Sequence, residues 1–343
     1  MRLAIVGLGR VGRCVVRQAV ATGHEVVALG EPLVDLFRLR HLLRFDAVHG
    51  AWPHVLPLDG AGSRIRLGDG WADFSRDRQA LLDRLPDLGA QVLIDCSRRG
   101  LSPRTVEPPW PAPDVRVLLA GRSPRADATV VLGVNDDRID GAAARVVSAS
   151  SCTANCVLPV VRALADRGLD PAEIDVTILH PYLAAQNLLD NPAAGDDPSL
   201  CRGAPLAVIP AATHLPDAIR ELMPDLASRA TCRCYRVPAP AVLTIDLGLR
   251  FAAPVAAADL LAALRHAAAG THAGLVAVLD EPVASVDLVG TPWSAAVGAA
   301  YLPDRRARRH RLVLWQDNEW AYARRLVDVA RGWGERREGD RHG

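Results

Sequence analysis

No run of apolar residues in the 343-residue sequence approaches the ~20 needed to cross a bilayer, which excludes a membrane-spanning helix. The opening Met1-Arg2-Leu3 lacks the basic, apolar and small-residue regions of a secretory leader, so the chain is read as cytoplasmic. Charge imbalance is missing too. Forty basic and 39 acidic side chains leave a net charge of +1, which supplies no long-range field for nucleic acid or an anionic membrane. The arginines at 305–311 and from 324 onward are read as solvated faces. Lysine is absent while arginine and alanine are abundant, a bias read as genome base composition. The seven cysteines (14, 96, 152, 156, 201, 232 and 234) are odd in number and scattered, which argues against a disulfide framework and for reduced thiols. Cys232 and Cys234 face one way in a strand-like run. No second Cys or His pair stands nearby at zinc-ligand spacing, so no metal is expected. There is no internal repeat and no low-complexity linker.

What is present is a core. Half of the residues are apolar, and the length suggests two domains. In the first half, short apolar runs at 3–6, 25–29, 92–95, 115–119 and 130–134 alternate with helical spacing, the pattern of a doubly wound parallel sheet in an α/β protein. The second half changes character. A long helix at 152–167 is followed by β-rich runs at 176–180, 207–209, 232–237, 242–249, 283–288 and 311–315, the spacing of an α+β domain with an antiparallel or mixed sheet. The domains are set at 1–151 and 152–317, with a final helix at 318–333 expected to pack back on the first domain and a frayed tail at 334–343.

Gly7-Leu8-Gly9-Arg10-Val11-Gly12 follows the first strand and opens a helix, the context in which a G-x-G-x-x-G run binds a dinucleotide. Gly7 suits the tight turn, Gly9 the approach of a pyrophosphate, and Gly12 the packing of helix on sheet. The helix start offers N–H groups to the phosphates. Glu31 ends the second strand about twenty residues later, where an acid accepts from ribose hydroxyls and repels a 2′-phosphate, so NAD is expected over NADP.

The most informative stretch is Ser150-Ser151-Cys152-Thr153-Ala154-Asn155-Cys156. Its serines can cap a helix, which puts Cys152 in the first turn, where the helix dipole favours thiolate. Cys156 lies one turn on, about 6 Å away on the same face and poorly placed for a disulfide. His180, at the end of a strand, is a candidate proton acceptor for that thiol.

These segments resemble one family, the phosphorylating glyceraldehyde-3-phosphate dehydrogenases. The glycine run continued by Arg13, the stretch His41-Leu42-Leu43-Arg44-Phe45-Asp46-Ala47-Val48-His49-Gly50, residues 148–156, Arg236-Val237-Pro238, and Trp315-Gln316-Asp317-Asn318-Glu319-Trp320 match it in order. The resemblance implies that Cys152 attacks an aldehyde, that His180 is the base promoting hydride transfer, and that phosphate or water releases the thioester. It further implies that Arg10 and Val11 meet the pyrophosphate, Asn318 the nicotinamide amide, and Ser97 the cofactor. Ser151, Thr153 and Thr213 would bind the attacking phosphate, and Arg236 the substrate's own phosphate. Homotetramers are usual in the family.

Departures fall on the substrate. A Thr and an Asp of the family's phosphate pocket are Leu183 and Ala185 here, a glycine that binds inorganic phosphate is His214, an asparagine is Val6, and a glycine near the cofactor is Arg98. The loop between Asn191 and Arg202 diverges as well. Asp95-Cys96-Ser97 and residues 128–135 are closer to the erythrose-4-phosphate dehydrogenase branch. The expectation is an NAD-dependent aldehyde oxidoreductase, acting on an aldehyde or acyl phosphate, with altered substrate specificity. A glyceraldehyde-3-phosphate or erythrose-4-phosphate enzyme is the alternative. A non-catalytic regulatory protein on the same scaffold predicts a lost nucleophile or base, and neither is lost.

Overall fold

A computed structural model describes residues 1–97, 110–140, 144–183, 186–191, 197–303 and 305–339. The chain forms two compact units. The first holds residues 1–130, 135–150 and those from Tyr322 onward, and the second holds 131–134 and 151–321.

In the first unit the elements run β1 (Arg2–Val6), α1 (Arg10–Ala21), β2 (Glu25–Gly30), α2 (Leu36–Arg44), a ribbon of β3 (Phe45–Asp46) and β4 (Gly50–Ala51), β5 (Arg64–Leu67), β6 (Gly70–Ser75), α3 (Arg78–Arg84), β7 (Val92–Asp95), β8 (Arg116–Leu119), β9 (Ala128–Thr129) and β10 (Val146–Ser148). Eight of these strands make one sheet in the order β5-β6-β2-β1-β7-β8-β10-β9, parallel except for the β5–β6 hairpin. The continuous apolar runs of β1, β2, β7 and β8 are what parallel strands covered on both faces require. Asp35 caps α2 through the Arg38 N–H, and Gly23, at φ 76, follows the end of α1. The doubly wound sheet expected from the sequence is therefore present.

The second unit comprises α4 (Cys152–Ala165), β11 (Glu173–Pro181), β12 (Ile209–Ala211), α5 (Leu215–Leu222), β13 (Ala230–Val237), β14 (Leu243–Ala256), α6 (Ala257–Ala269), β15 (Val276–Leu279), β16 (Ala295–Gly298) and β17 (Arg306–Gln316). α7 (Trp320–Gly339) starts here and continues in the first unit, where Tyr322 donates to Ser150 O at 3.0 Å and Arg116 to Trp333 O at 2.7 Å. The seven-stranded sheet runs β12-β13-β11-β14-β17-β16-β15 and is mixed: β11 is parallel to β13 but antiparallel to β14.

Register orders this sheet into rows. Cys232, Val176, Leu247 and Leu312 lie level across β13, β11, β14 and β17, and Cys234, Ile178, Ile245 and Leu314 form the next row. Side chains level with one another share a face. All but Cys232 are buried, and α4 and α6 contribute to the same core. The row above contains Arg236 opposite His180 and Leu243 opposite Gln316. His180 comes level with Leu243 one residue beyond the Leu179–Thr244 pair. The apolar rows thus carry a polar crest.

Three sequence expectations differ from the structure. Residues 130–134 form a turn, because Gly133 adopts φ 80 and Val134 N–H bonds back to Val131 O. Residues 285–288 are a short 3-10 helix in place of a strand. β15 and β16, only four residues each, carry too little period to be legible. α7 continues through 334–339.

Leu247 is fully buried, whereas its neighbour Asp246 makes a partly exposed ion pair with Arg311 at 2.7 Å. Leu247→Ala is expected to cost ~2–5 kcal/mol and Asp246→Asn no more than ~1 kcal/mol. Urea midpoints of the two variants check this ranking, and equal losses would contradict the assignment of the core face.

Candidate active site

The first unit's strand order reverses between β1 and β7, the place where doubly wound sheets take ligands beyond the carboxyl ends of the strands. Gly7 turns there with φ 79, and a Cβ on it would stand 2.4 Å from the Ser97 nitrogen. Gly12, in the first turn of α1, is confined likewise, 2.2 Å from Gly7 O. Gly9 is the opposite case: nothing lies within 4 Å of its would-be Cβ, so open space meets the start of α1. Arg10 and Val11 open this helix, no side chain caps it, and no acid stands in its first turn. Open space at an uncapped helix start fits a pyrophosphate.

Glu31 edges the same turn. Its Oε2 accepts from Leu8 N–H at 2.8 Å and its Oε1 from Leu33 N–H at 3.0 Å. Each carboxylate oxygen keeps acceptor capacity for a ribose hydroxyl, and the charge opposes a 2′-phosphate. Ser97 gives both its N–H and its hydroxyl to Asp95 Oδ1, at 2.8 and 2.6 Å. Asp95 is fully buried and takes Arg78 on its other oxygen at 2.9 Å.

In the second unit, Ser151 caps α4 by accepting from Ala154 N–H at 3.2 Å, which sets Cys152 at the first turn. Thr153 Oγ1 is 4.0 Å from Cys152 Sγ, and His180 Nε2 is 3.8 Å from it. His180 Nδ1 lies 2.8 Å from Pro181 O. A carbonyl can only accept, so this contact assigns the proton to Nδ1 and leaves the Nε2 lone pair facing the thiol. Burial first, then the charge of Arg236, pushes the His180 pKa down to about 4, so the imidazole is neutral.

For Cys152 the helix-start argument predicts a favoured thiolate, and the structure reverses it. Burial pushes the thiol up, against hydrogen bonds from Thr153 and the charge of Arg236. A helix start is worth ~0.3–1 kcal/mol, less than one pK unit, whereas burial can shift a pKa by several units. The resting pair is a thiol and a neutral imidazole.

Unpartnered polar atoms gather at or just past the crest of the sheet. Arg236 Nη1, both amide atoms of Gln316, Asn318 Oδ1 and Gln186 Nε2 are buried without a hydrogen bond. Each such group costs ~1–3 kcal/mol, which a polar ligand reaching it would relieve. Strain is found nearby: among the described residues only Ser150 (φ 57) and Val242 (φ 62) are non-glycine residues with positive φ. One directly precedes the Ser151 cap and the other precedes Leu243 of the crest.

Residues 1–102 match the family described as glyceraldehyde 3-phosphate dehydrogenase, NAD binding domain, and residues 151–318 match glyceraldehyde 3-phosphate dehydrogenase, C-terminal domain. Relatives include glyceraldehyde-3-phosphate dehydrogenase of Mycobacterium avium, 33% identical across 96% of this chain and 97% of its own length. Glyceraldehyde-3-phosphate dehydrogenase 2 of Streptomyces arenae is 32% identical over 96% of this chain and 97% of its own, and glyceraldehyde-3-phosphate dehydrogenase 1 of Trichoderma koningii is 30% identical over 96% of each. The chain belongs to the glyceraldehyde-3-phosphate dehydrogenase family. It is an NAD-dependent dehydrogenase with a Rossmann-type unit and a catalytic unit, and NAD is its cofactor.

Within this family's architecture, Cys152, His180, Ser151, Thr153 and Arg236 fall in one unit, with Asn318 two residues past β17. Gly7, Gly9, Arg10, Val11, Gly12, Glu31 and Ser97 fall in the other. Thr213 follows β12, whose Ile209 pairs with Arg236, and its hydroxyl accepts from Leu215 N–H at 3.2 Å. Leu183 is half-buried and donates its N–H to Gln186 Oε1 at 2.9 Å. His214 precedes α5 with its side chain 76% exposed, 3.9 Å from Asp217. Arg202 pairs with Asp190 at 2.9 Å. Arg98, Ala185 and 192–196 lie outside the described residues. Sequence reading overlooks Asp95, Gln186 and Gln316 as site groups. For Gln316 a signal existed: it continues the alternation of Leu312 and Leu314 with an amide.

The depressed His180 pKa and raised Cys152 pKa set a pH profile. Alkylation of Cys152 by iodoacetamide is expected to keep rising with pH past the range of an ordinary cysteine, since burial holds its thiol above the usual value. The acid limb of turnover is expected near pH 4, where His180 becomes protonated, and not at 6.5. An alkylation rate already level at pH 6 would contradict the thiol–imidazole ground state.

Proposed function

We propose that this enzyme oxidises an aldehyde, or in reverse reduces an acyl phosphate, through a thioester on Cys152, and that its substrate pocket differs from that of its named relatives. The observation that carries the reading is the 3.8 Å approach of the His180 Nε2 lone pair to the Cys152 sulfur. As the sulfur adds to the aldehyde carbon, the thiol proton passes by way of Nε2 to the carbonyl oxygen, giving a hemithioacetal. NAD, when bound, supplies the hydride acceptor. His180 Nε2 removes the hydroxyl proton as the C–H electron pair leaves, and the C=O of a thioester forms. Because the imidazole is neutral at rest, it can act as a base at physiological pH.

On this reading Asn318, with its unpartnered Oδ1, accepts from the nicotinamide amide, and Glu31 holds the ribose. Gly7, Gly9, Arg10, Val11 and Gly12 hold the pyrophosphate, and Ser97 sits beside the cofactor. Arg236, with Nη1 unpartnered, takes the substrate's anionic group. Ser151, Thr153 and Thr213 receive the phosphate that releases the thioester. A cytoplasmic homotetramer is part of the proposal.

Leu183 supports altered specificity. A phosphate oxygen against a leucine loses a hydrogen bond that the family's threonine would give. Glyceraldehyde-3-phosphate or erythrose-4-phosphate dehydrogenase proper remains the second reading, favoured by the retained Arg236 and, for the former, by the relatives' names.

Cys152→Ser is expected to lower kcat by at least ~10³-fold, and NADP turnover to fall well below NAD turnover. Retained activity in the serine variant would remove the thioester from consideration. For specificity, kcat/KM is compared for glyceraldehyde 3-phosphate, erythrose 4-phosphate and unphosphorylated aldehydes. Leu183→Thr is expected to improve the phosphorylated substrates by about tenfold. A wild-type preference for glyceraldehyde 3-phosphate would reject the altered-pocket reading.

A further inference from the structure

Gln316 is the last residue of β17 and is 1% exposed, yet neither Oε1 nor Nε2 has a partner. Leu314 and Leu312 precede it on the same face, and both are fully buried in the apolar core. Gln316 is the point at which that face changes from aliphatic to amide. Across the crest it is paired with Leu243, and His180 is level with Leu243 on the strand beyond. Two strand spacings separate the backbones of Gln316 and His180, about 10 Å, a span that two facing side chains and a small ligand can fill. The nucleophile lies on this face of the sheet, 3.8 Å from His180.

The unpartnered atoms of the crest call for different chemistry. Arg236 offers only donors and suits an anion. Asn318 has an orphan acceptor and suits an N–H or O–H. Gln316 is unsatisfied at a donor and an acceptor together. One compact group that both accepts and donates would satisfy it. A hydroxyl or a water does this, while a carbonyl or ionised phosphate oxygen can only accept.

We infer that Gln316 binds an O–H group in the active site, either a hydroxyl of the aldehyde substrate or the water that releases the thioester. The inference rests on the thioester reading given above. In the second case the water oxygen bonds to the thioester carbon and the C–S bond breaks. The water's proton passes to His180 Nε2 and then to the Cys152 sulfur. The products are a carboxylic acid and the free thiol, with no change in oxidation state. Such an enzyme would turn over without inorganic phosphate.

The test compares the full-length enzyme and Gln316→Leu with NAD, using 2-hydroxypropanal and propanal, which differ in one hydroxyl. First-turnover NADH formation and steady-state turnover are measured with and without inorganic phosphate. If the partner is the substrate hydroxyl, first-turnover NADH formation from 2-hydroxypropanal falls about tenfold or more and that from propanal is unchanged. If the partner is the attacking water, first turnover is unchanged with both aldehydes. Phosphate-free steady-state turnover then falls about tenfold or more, while phosphate-supported turnover is kept. Either pattern supports the inference. An equal loss for both aldehydes in both phases, or no loss in any, overturns it. Should the leucine variant not fold, Gln316→Met, which keeps the unbranched chain, takes its place. Acyl-Cys152 is sought by mass spectrometry in the unsubstituted enzyme. Its absence would overturn the thioester reading and the water role with it, while the paired KM values of the two aldehydes still decide the hydroxyl role.

Discussion

Strand register in the seven-stranded sheet is the constraint from which the rest of the catalytic unit follows. β11 pairs in parallel with β13 on one side and antiparallel with β14 on the other, and β14 passes the alignment to β17. Because side chains alternate between faces, a slip of one residue in any strand would turn its whole contribution away from the helices. The two filled apolar rows below the crest make such a slip costly, since it would expose several fully buried aliphatic side chains at once. The same packing that stabilises the unit therefore fixes His180 and Arg236 side by side. α4 then needs only its Ser151 cap to bring the Cys152 sulfur to the imidazole.

Burial has a second effect. It opposes charge on the sulfur and on the imidazole alike, outweighing Thr153 and Arg236 at the sulfur and acting together with Arg236 at the imidazole. A thiolate–imidazolium pair would be more reactive with any electrophile that entered. On the proposed reading, the neutral pair reacts once a carbonyl oxygen is present to receive the thiol proton. Low dielectric here trades ground-state reactivity for selectivity.

The sequence made the candidate site residues more conspicuous than the topology of the second unit. The glycine run, Glu31, Cys152 and His180 could be named as candidates because each is a particular residue type at a fixed distance from a strand or helix end. The parallel sheet could be read because β1, β2, β7 and β8 are apolar without interruption. What could not be read was decided by contacts far apart in sequence. β15 and β16 are strands because β17 offers an edge to β16 and β16 in turn pairs with β15. The 130–134 run looks like a buried strand but bends at Gly133. The state of the Cys152 thiol depends on what surrounds it, and Gln316 joins the crest only through its pairing with Leu243.

The short turn after β11 is tied both to itself and to its surroundings, Tyr182 N–H bonding to Ala239 O at 3.2 Å. Leu183 N–H bonds to the Gln186 side chain, and Gln186 N–H bonds back to Leu183 O at 2.9 Å. Among the described residues, 182, 183 and 186 lie past the end of the strand. The consequence is a division of labour in evolutionary terms. On the proposed reading, substitutions in this turn would re-aim the enzyme at a new metabolite while Cys152 and His180, carried by α4 and β11, are left in place. Divergence of a duplicated gene would then begin here, at low risk to folding.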